Sequence, residues 1–134
     1  MILGIGIDIV EVDRIRQACE RFGDRFLHRI LLAAELEYCR SFRSMAPHVA
    51  ARFAAKEAIS KAFGTGIGRQ LGWLDMEVLR KDSGEPYLVL HDGGARLLKE
   101  RGAAKVHISL SHTQSHATAI AIVESDEAIR QNTA

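Results

Sequence analysis

The sequence predicts an α+β domain in which an antiparallel sheet packs against a long central helix. The segments run in the order β-α-α-α-β-β-α-β-β, with strands in consecutive pairs rather than alternating singly with helices. One stretch, Val49 to Phe63, is free of Gly and Pro, and Ala50, Ala54, Ala58 and Ala62 recur there at i, i+4, a small-residue ladder that permits close packing. The length, 134 residues, suits a single domain, assigned to residues 1–124 with a polar tail at 125–134.

Ile2 to Val10 alternates as a strand, with Ile5, Ile7 and Ile9 on one face and Gly4, Gly6 and Asp8 on the other. Asp13 to Arg21 reads as a helix ending near Gly23. Arg25 to Leu31 is a short segment, and Ala34 to Phe42 is a further helix. Pro47 opens the longest helix, where a proline suits the first turn. Gly64 stops it, and Gly64, Gly66, Gly68 and Gly72 make the next loop glycine-rich. Met76 to Leu79 and Tyr87 to Leu90 are strands joined through the turn Lys81-Asp82-Ser83-Gly84. Gly93 to Glu100 is a short helix closed by Gly102. Val106 to Leu110 and Ala117 to Val123 complete the strands, and the residues after Glu124 read as a fraying end.

Composition removes several classes. Charge nearly cancels, with 18 Lys and Arg against 17 Asp and Glu, which excludes a highly charged disordered chain. No apolar run reaches the length of a membrane span, and the chain reads as cytoplasmic. Cys19 and Cys39 stand alone in helices without metal-ligand spacing and read as reduced thiols. The charge is unevenly spread, however. From Arg14 to Gly72 there are eleven Lys and Arg against five acids, a surplus of six that suggests an anionic partner.

Several constellations could carry chemistry. Asp8 lies in an otherwise apolar strand, where an ionised carboxylate is costly unless paired or bound to a metal. It could equally cap the following helix. Glu57 and Lys61 are i, i+4 and could be a surface ion pair worth about 0.3–0.5 kcal/mol. Arg52, Lys56 and Ser60 form another such row, whose like charges make more sense beneath an anion, although solvated helices also look like this. The loop Gly64-Thr65-Gly66-Ile67-Gly68-Arg69 could cradle phosphate, but it follows a helix and precedes none, unlike the known nucleotide loops; a plain helix cap is the other reading. His107, Ser109 and Ser111 share a strand face, with His112 and Thr113 at its end. A Ser–His nucleophile pair there lacks an orienting acid nearby in sequence, and a solvated face is the alternative.

Three separated segments taken together resemble the holo-acyl-carrier-protein synthase type of phosphopantetheinyl transferase. They are Gly4-Ile5-Gly6-Ile7-Asp8-Ile9-Val10, the helix and loop from Arg52-Phe53-Ala54-Ala55-Lys56-Glu57 through Lys61 to Gly66, and Ser109-Leu110-Ser111-His112-Thr113. The family signature is G-I-D near the N-terminus and W/F-x-x-K-E-A-x-x-K in the helix, with Phe53 in the aromatic position. The resemblance runs from Met1 to about Glu124.

The resemblance implies the 4′-phosphopantetheinyl transferase fold. It also implies transfer of the phosphopantetheine arm of coenzyme A to a serine of apo acyl carrier protein, in fatty acid biosynthesis. Asp8 and Glu57 match magnesium ligands, Lys61 matches a lysine at the reacting phosphate, and Glu57 would take the serine proton directly or through a metal-bound water. Gly64, Thr65 and Gly66 match a loop beside the pyrophosphate. Arg52, His112 and Thr113 match positions around the 3′-phosphate end. Arg14, Arg21, Arg25 and Arg29, with Phe26 as an apolar contact, fall where an acidic carrier protein docks. Such single-domain members are homotrimers with active sites between subunits. The resemblance assigns no role to Trp73.

A non-catalytic module that binds an acidic protein or nucleic acid through the basic stretch is the reading from another class. Nucleic acid is disfavoured, because aromatics are only 6% and do not interleave with the basic residues as stacking platforms would. A binding module also has no need of Asp8.

Overall fold

The computed structural model describes residues 1–126. Its elements are β1 (Ile2–Glu11), α1 (Val12–Phe22), α2 (Asp24–Ile30), α3 (Ala33–Arg40), α4 (Ala46–Phe63), a 3-10 turn (Trp73–Asp75), β2 (Met76–Arg80), β3 (Pro86–Leu90), α5 (Asp92–Glu100), β4 (Ala103–His112) and β5 (His116–Ser125). The α+β class stands, and the strands are antiparallel throughout. They form two sheets where one was expected. The termini supply a three-stranded sheet in the order β1-β5-β4, and β2 and β3 pair as a separate hairpin.

The short segment near Arg25 is the helix α2, so four helices separate β1 from β2. α3 stops at Arg40, two residues early, and the Ser41 N–H turns back to the Tyr38 carbonyl at 3.1 Å. β4 starts three residues early, because Gly102 in a left-handed conformation (φ 65°) leads the chain from α5 straight into the sheet. β5 runs to Ser125, whose N–H donates to the Met1 carbonyl at 2.8 Å. Of the polar tail, residues 127–134 lie outside the described residues.

α4 is the hub. Thirteen of its eighteen residues are buried, so it carries no polar stripe along which a solvent face could be read. Its first turn holds Pro47, whose missing N–H would have had no helical partner there. Against it lies the Gly face of β1. A β-carbon on Gly4 would overlap the Ala62 carbonyl oxygen, and one on Gly6 would overlap that of Ala58. The small residues of both elements therefore let main chain meet main chain, giving dense dispersion contact. Ala119, Ala121 and Val123 of β5 continue this buried face, and Ile15, Leu27, Ile30 and Ile59 fill the core around the helix.

The opposite sheet face is uncovered. Ile5, Ile7 and Ile9 are 59%, 64% and 66% exposed, and Ile120 on β5 lies opposite Ile7. On β4 the same face shows His107, Ser109 and Ser111, opposite Ile122, Ile120 and Thr118. The strand alternation was legible in the sequence, but the isoleucines, not the glycines, face outward.

The row Arg52, Lys56, Ser60 is buried rather than solvated, and the anion over it is internal. Glu35 on α3 is fully buried and holds the Lys56 ammonium at 2.8 Å. Lys56 also donates to the carbonyls of Ile30 (2.6 Å) and Trp73 (3.1 Å), using all three protons of its ammonium group. Glu35 in turn accepts the N–H groups of Leu32 (2.9 Å) and Val78 (3.0 Å). This one pair fastens α4 to α2, α3, β2 and the 3-10 turn. Trp73 also stacks at a tilt on Phe53, ring centres 4.9 Å apart, which gives it a packing role.

Candidate active site

The closest approach of β1 to α4 brings three of the predicted residues together. Asp8 faces the helix from the Gly side of its strand, opposite Ala119 in the sheet, and its side chain is only 17% exposed. Lys61 on α4 reaches across to it. The Lys61 Nζ donates to Asp8 Oδ1 and to the Ile7 carbonyl, both at 3.0 Å. Glu57 lies one turn before Lys61 on the same helix face. Burial, and then the neighbouring Asp8 carboxylate, raise the Glu57 carboxyl above the ordinary glutamate value, while Lys61 pulls it down. Thus two carboxylates are held close despite their repulsion, with an ammonium between strand and helix.

That arrangement is suited to a hard divalent cation. Magnesium is usually held by one or two carboxylates together with phosphate oxygens. Among the described residues no group of three His, Cys, Asp or Glu gathers into a closed metal cage. The Lys61 ammonium already occupies a cation position beside Asp8, which shows that the pocket of oxygens accepts positive charge.

Gly64, Thr65 and Gly66 leave the end of α4 immediately after this cluster. Gly64 takes the left-handed conformation (φ 76°), and the Thr65 and Gly66 N–H groups turn back to the Ser60 carbonyl at 3.1 and 3.2 Å. The loop is thus a true helix cap and also a chain of main-chain groups beside Lys61.

Arg52, His112 and Thr113 lie elsewhere. Arg52 is 1% exposed, its guanidinium stacks 4.3 Å over the Tyr38 ring, and its Nε is buried without a hydrogen-bond partner, 3.9 Å from Glu35 Oε2. His112 meets this region through His48, whose ring lies 5.1 Å away and stacks on Phe42. Burial, then His112, Arg52 and Arg80, push the His48 imidazole below its ordinary value. Sequence reasoning missed His48, because nothing in the local pattern ties position 48 to the end of β4. Thr113 folds the β4–β5 turn, its N–H donating to the His116 carbonyl at 2.8 Å. No contact links this cluster to Asp8 among the described residues.

Arg14, Arg21, Arg25 and Arg29 are all exposed on α1 and α2, and Phe26 is half-buried between those helices and the core. A groove of about 340 Å³ is lined by Phe22, Arg25, Phe26 and Arg29, and another of about 210 Å³ joins Arg14 to Phe26 and Phe53. Phe22 was not singled out by the sequence pattern. It is 52% exposed, with the Arg21 guanidinium 5.2 Å over its ring.

A strand carboxylate and a helix carboxylate, with a lysine on the strand carboxylate and a glycine loop after the helix, make a set suited to a phosphorylated substrate. The chain belongs to the 4′-phosphopantetheinyl transferase superfamily, whose family model matches residues 4–121. It is 50% identical over 124 residues to the holo-[acyl-carrier-protein] synthase of Koribacter versatilis, covering 92% of this chain and 99% of that relative. Its structure is similar to the crystal structure of the Neisseria meningitidis holo-[acyl-carrier-protein] synthase, with TM-score 0.87, 34% identity and coverage of 93% of this chain and all of that one (100%). It is also similar to the Helicobacter pylori enzyme in complex with coenzyme A, with TM-score 0.81, 32% identity and coverage of 90% and 99%.

Proposed function

We propose that this chain transfers the 4′-phosphopantetheine group of coenzyme A to a serine of apo acyl carrier protein, giving holo acyl carrier protein and adenosine 3′,5′-bisphosphate. The pathway it serves is fatty acid biosynthesis. The carrying observation is the meeting of Asp8, Glu57 and Lys61 beside the Gly64–Gly66 loop, in a chain similar over most of its length to synthases of this name. Asp8 and Glu57 would hold magnesium, which when bound neutralises the diphosphate and the charge that develops on the leaving bisphosphate. Lys61, half-exposed and free to swing from Asp8, turns its ammonium to the reacting phosphate. The serine oxygen forms a bond to the phosphorus next to the pantetheine, and the bond from that phosphorus to the bridging oxygen breaks. Glu57 accepts the serine proton, directly or through one water, and its raised basicity suits that task. Arg52, His112 and Thr113 receive the 3′-phosphate end, supported by the Arg52 Nε that lacks a hydrogen-bond partner. Arg14, Arg21, Arg25, Arg29 and Phe26 dock the acidic carrier, a surface whose charge pairs act mainly on association rate.

The outer sheet face supports a homotrimer with active sites between subunits. Isolated apolar residues on a surface need no explanation, but Ile5, Ile7, Ile9 and Ile120 are contiguous across two strands. Ile7→Asp is expected to yield a monomer by sedimentation with transfer largely lost. A wild-type protein that sediments as a monomer at assay concentration would overturn the trimer. No helix among the described residues is long and apolar enough to cross a membrane, and Cys19 and Cys39 are free thiols, which suits a cytoplasmic setting.

The test is the mass of an apo acyl carrier protein incubated with this chain, coenzyme A and magnesium. A gain of about 340 Da, the mass of the phosphopantetheine arm, that disappears with chelator is expected. No gain with several carriers and a folded chain would turn the reading to a non-catalytic binder of acidic proteins.

A further inference from the structure

α5 and the residue that ends it have no part in the site described above, yet one side chain from there reaches it. Arg101 follows the last residue of α5, and its N–H closes the helix on the Leu97 carbonyl at 3.0 Å. Its side chain crosses 38 positions of sequence to donate from Nη1 to the Phe63 carbonyl at 2.9 Å. Phe63 is the last residue of α4, and Gly64 follows it directly.

The final turn of any helix leaves carbonyls without helical partners. In α4 the Lys61 carbonyl is taken by the Gly64 N–H at 3.0 Å, and the Ser60 carbonyl by Thr65 and Gly66. The Ala62 carbonyl is pressed against Gly4 of β1. The Phe63 carbonyl is met by Arg101. The end of α4 is therefore held both by β1 and by the residue that follows α5, and the glycine loop starts from there. A guanidinium at a helix C-terminus is also favoured by the partial negative charge of the helix end. Arg101, Leu3, Ala62, Phe63, Gly64 and Val123 line an open groove of about 360 Å³ there, so few packed atoms other than this side chain support the loop root on that side.

We propose that Arg101 is a positioning residue for the Gly64–Gly66 loop, fixing its main-chain groups relative to Lys61 and Asp8 for the diphosphate of coenzyme A. The inference rests on the function proposed above. Arg101 touches neither the carboxylates nor the basic docking surface of α1 and α2, so its effect belongs to coenzyme A alone.

Arg101→Ala and Arg101→Lys in the full chain test this, by steady-state kinetics and by amide hydrogen exchange without substrates. For Arg101→Ala, loss of one charge-assisted hydrogen bond should raise KM for coenzyme A about tenfold while KM for the carrier stays within about twofold. Exchange of the Thr65 and Gly66 amides should quicken about tenfold, with the amides of β1 and β5 unchanged. Arg101→Lys retains the charge and a donor and should recover part of both effects. Unchanged exchange at Thr65 and Gly66 would overturn the proposal. So would parallel rises in both KM values with faster exchange throughout the sheet, the signature of general destabilisation. If the wild-type chain transfers nothing to any carrier, the functional reading falls, while the exchange experiment still decides whether Arg101 holds the loop.

Discussion

Glu57→Gln is expected to lower transfer about a thousandfold and, in the same protein without metal, to raise the melting temperature at neutral pH. The two effects have one origin. Burial and the Asp8 carboxylate make the ionised Glu57 costly in the folded chain, with Lys61 only partly offsetting them. The folded state holds the Glu57 proton more tightly than the unfolded state does. The group's contribution to stability is therefore complete below the unfolded glutamate value, about 4.3, and is lost as pH rises through the raised one. Glu57→Gln escapes that loss. Its advantage in melting temperature should be absent near about pH 4 and grow toward neutrality. Magnesium should raise the melting temperature of the wild type more than that of the variant. A variant that melts below wild type at neutral pH would remove the account of a strained carboxylate, and turnover within tenfold of wild type would remove its chemical role.

Lys56→Met should cost about 3–5 kcal/mol, because it leaves Glu35 charged and buried with no cation in hydrogen-bond contact. The Ile30 and Trp73 carbonyls lose their donor at the same time. Against a typical total of about 5–15 kcal/mol, the variant should unfold at much lower urea concentration or fail to accumulate. Glu35→Gln combined with Lys56→Met should recover part of the loss by removing the charge, but not all, since one side-chain carbonyl must then serve both the Leu32 and the Val78 N–H groups. Equilibrium urea denaturation of the two variants measures this. A Lys56→Met protein within about 1 kcal/mol of wild type would show that the pair fastens nothing.

Lys56 also marks where the sequence stopped being legible. The motif around it was readable as a helix, and the i, i+4 row was plain. Its partner, Glu35, is supplied by another helix 21 residues away, and no local period reports such a meeting. A charged row on a helix looks the same beneath solvent, a ligand or a neighbouring carboxylate. The strand β1 shows a different limit. Its alternation separated Gly4, Gly6 and Asp8 from the isoleucines correctly, but hydrophobicity alone would bury Ile5, Ile7 and Ile9. The close main-chain contact with α4 reverses that choice. For the site, residue type and spacing left Asp8, Glu57 and Lys61 with plain structural alternatives, the resemblance singled them out, and the fold brings them together. His48 and Arg101 were not found, since each acts through a neighbour distant in sequence.

The close main-chain contact of β1 with α4 at Gly4 and Gly6 has a consequence for how the site tolerates change. Most catalytic groups are located by a stack of rotamers, and each substitution in the stack shifts them slightly. Here the strand bearing Asp8 rests on the helix bearing Glu57 with Gly4 and Gly6 directly against the peptide carbonyls of Ala62 and Ala58. The spacing of strand and helix is then set by main-chain contact rather than by a layer of side chains. The glycines at positions 4 and 6 can therefore hardly change at all.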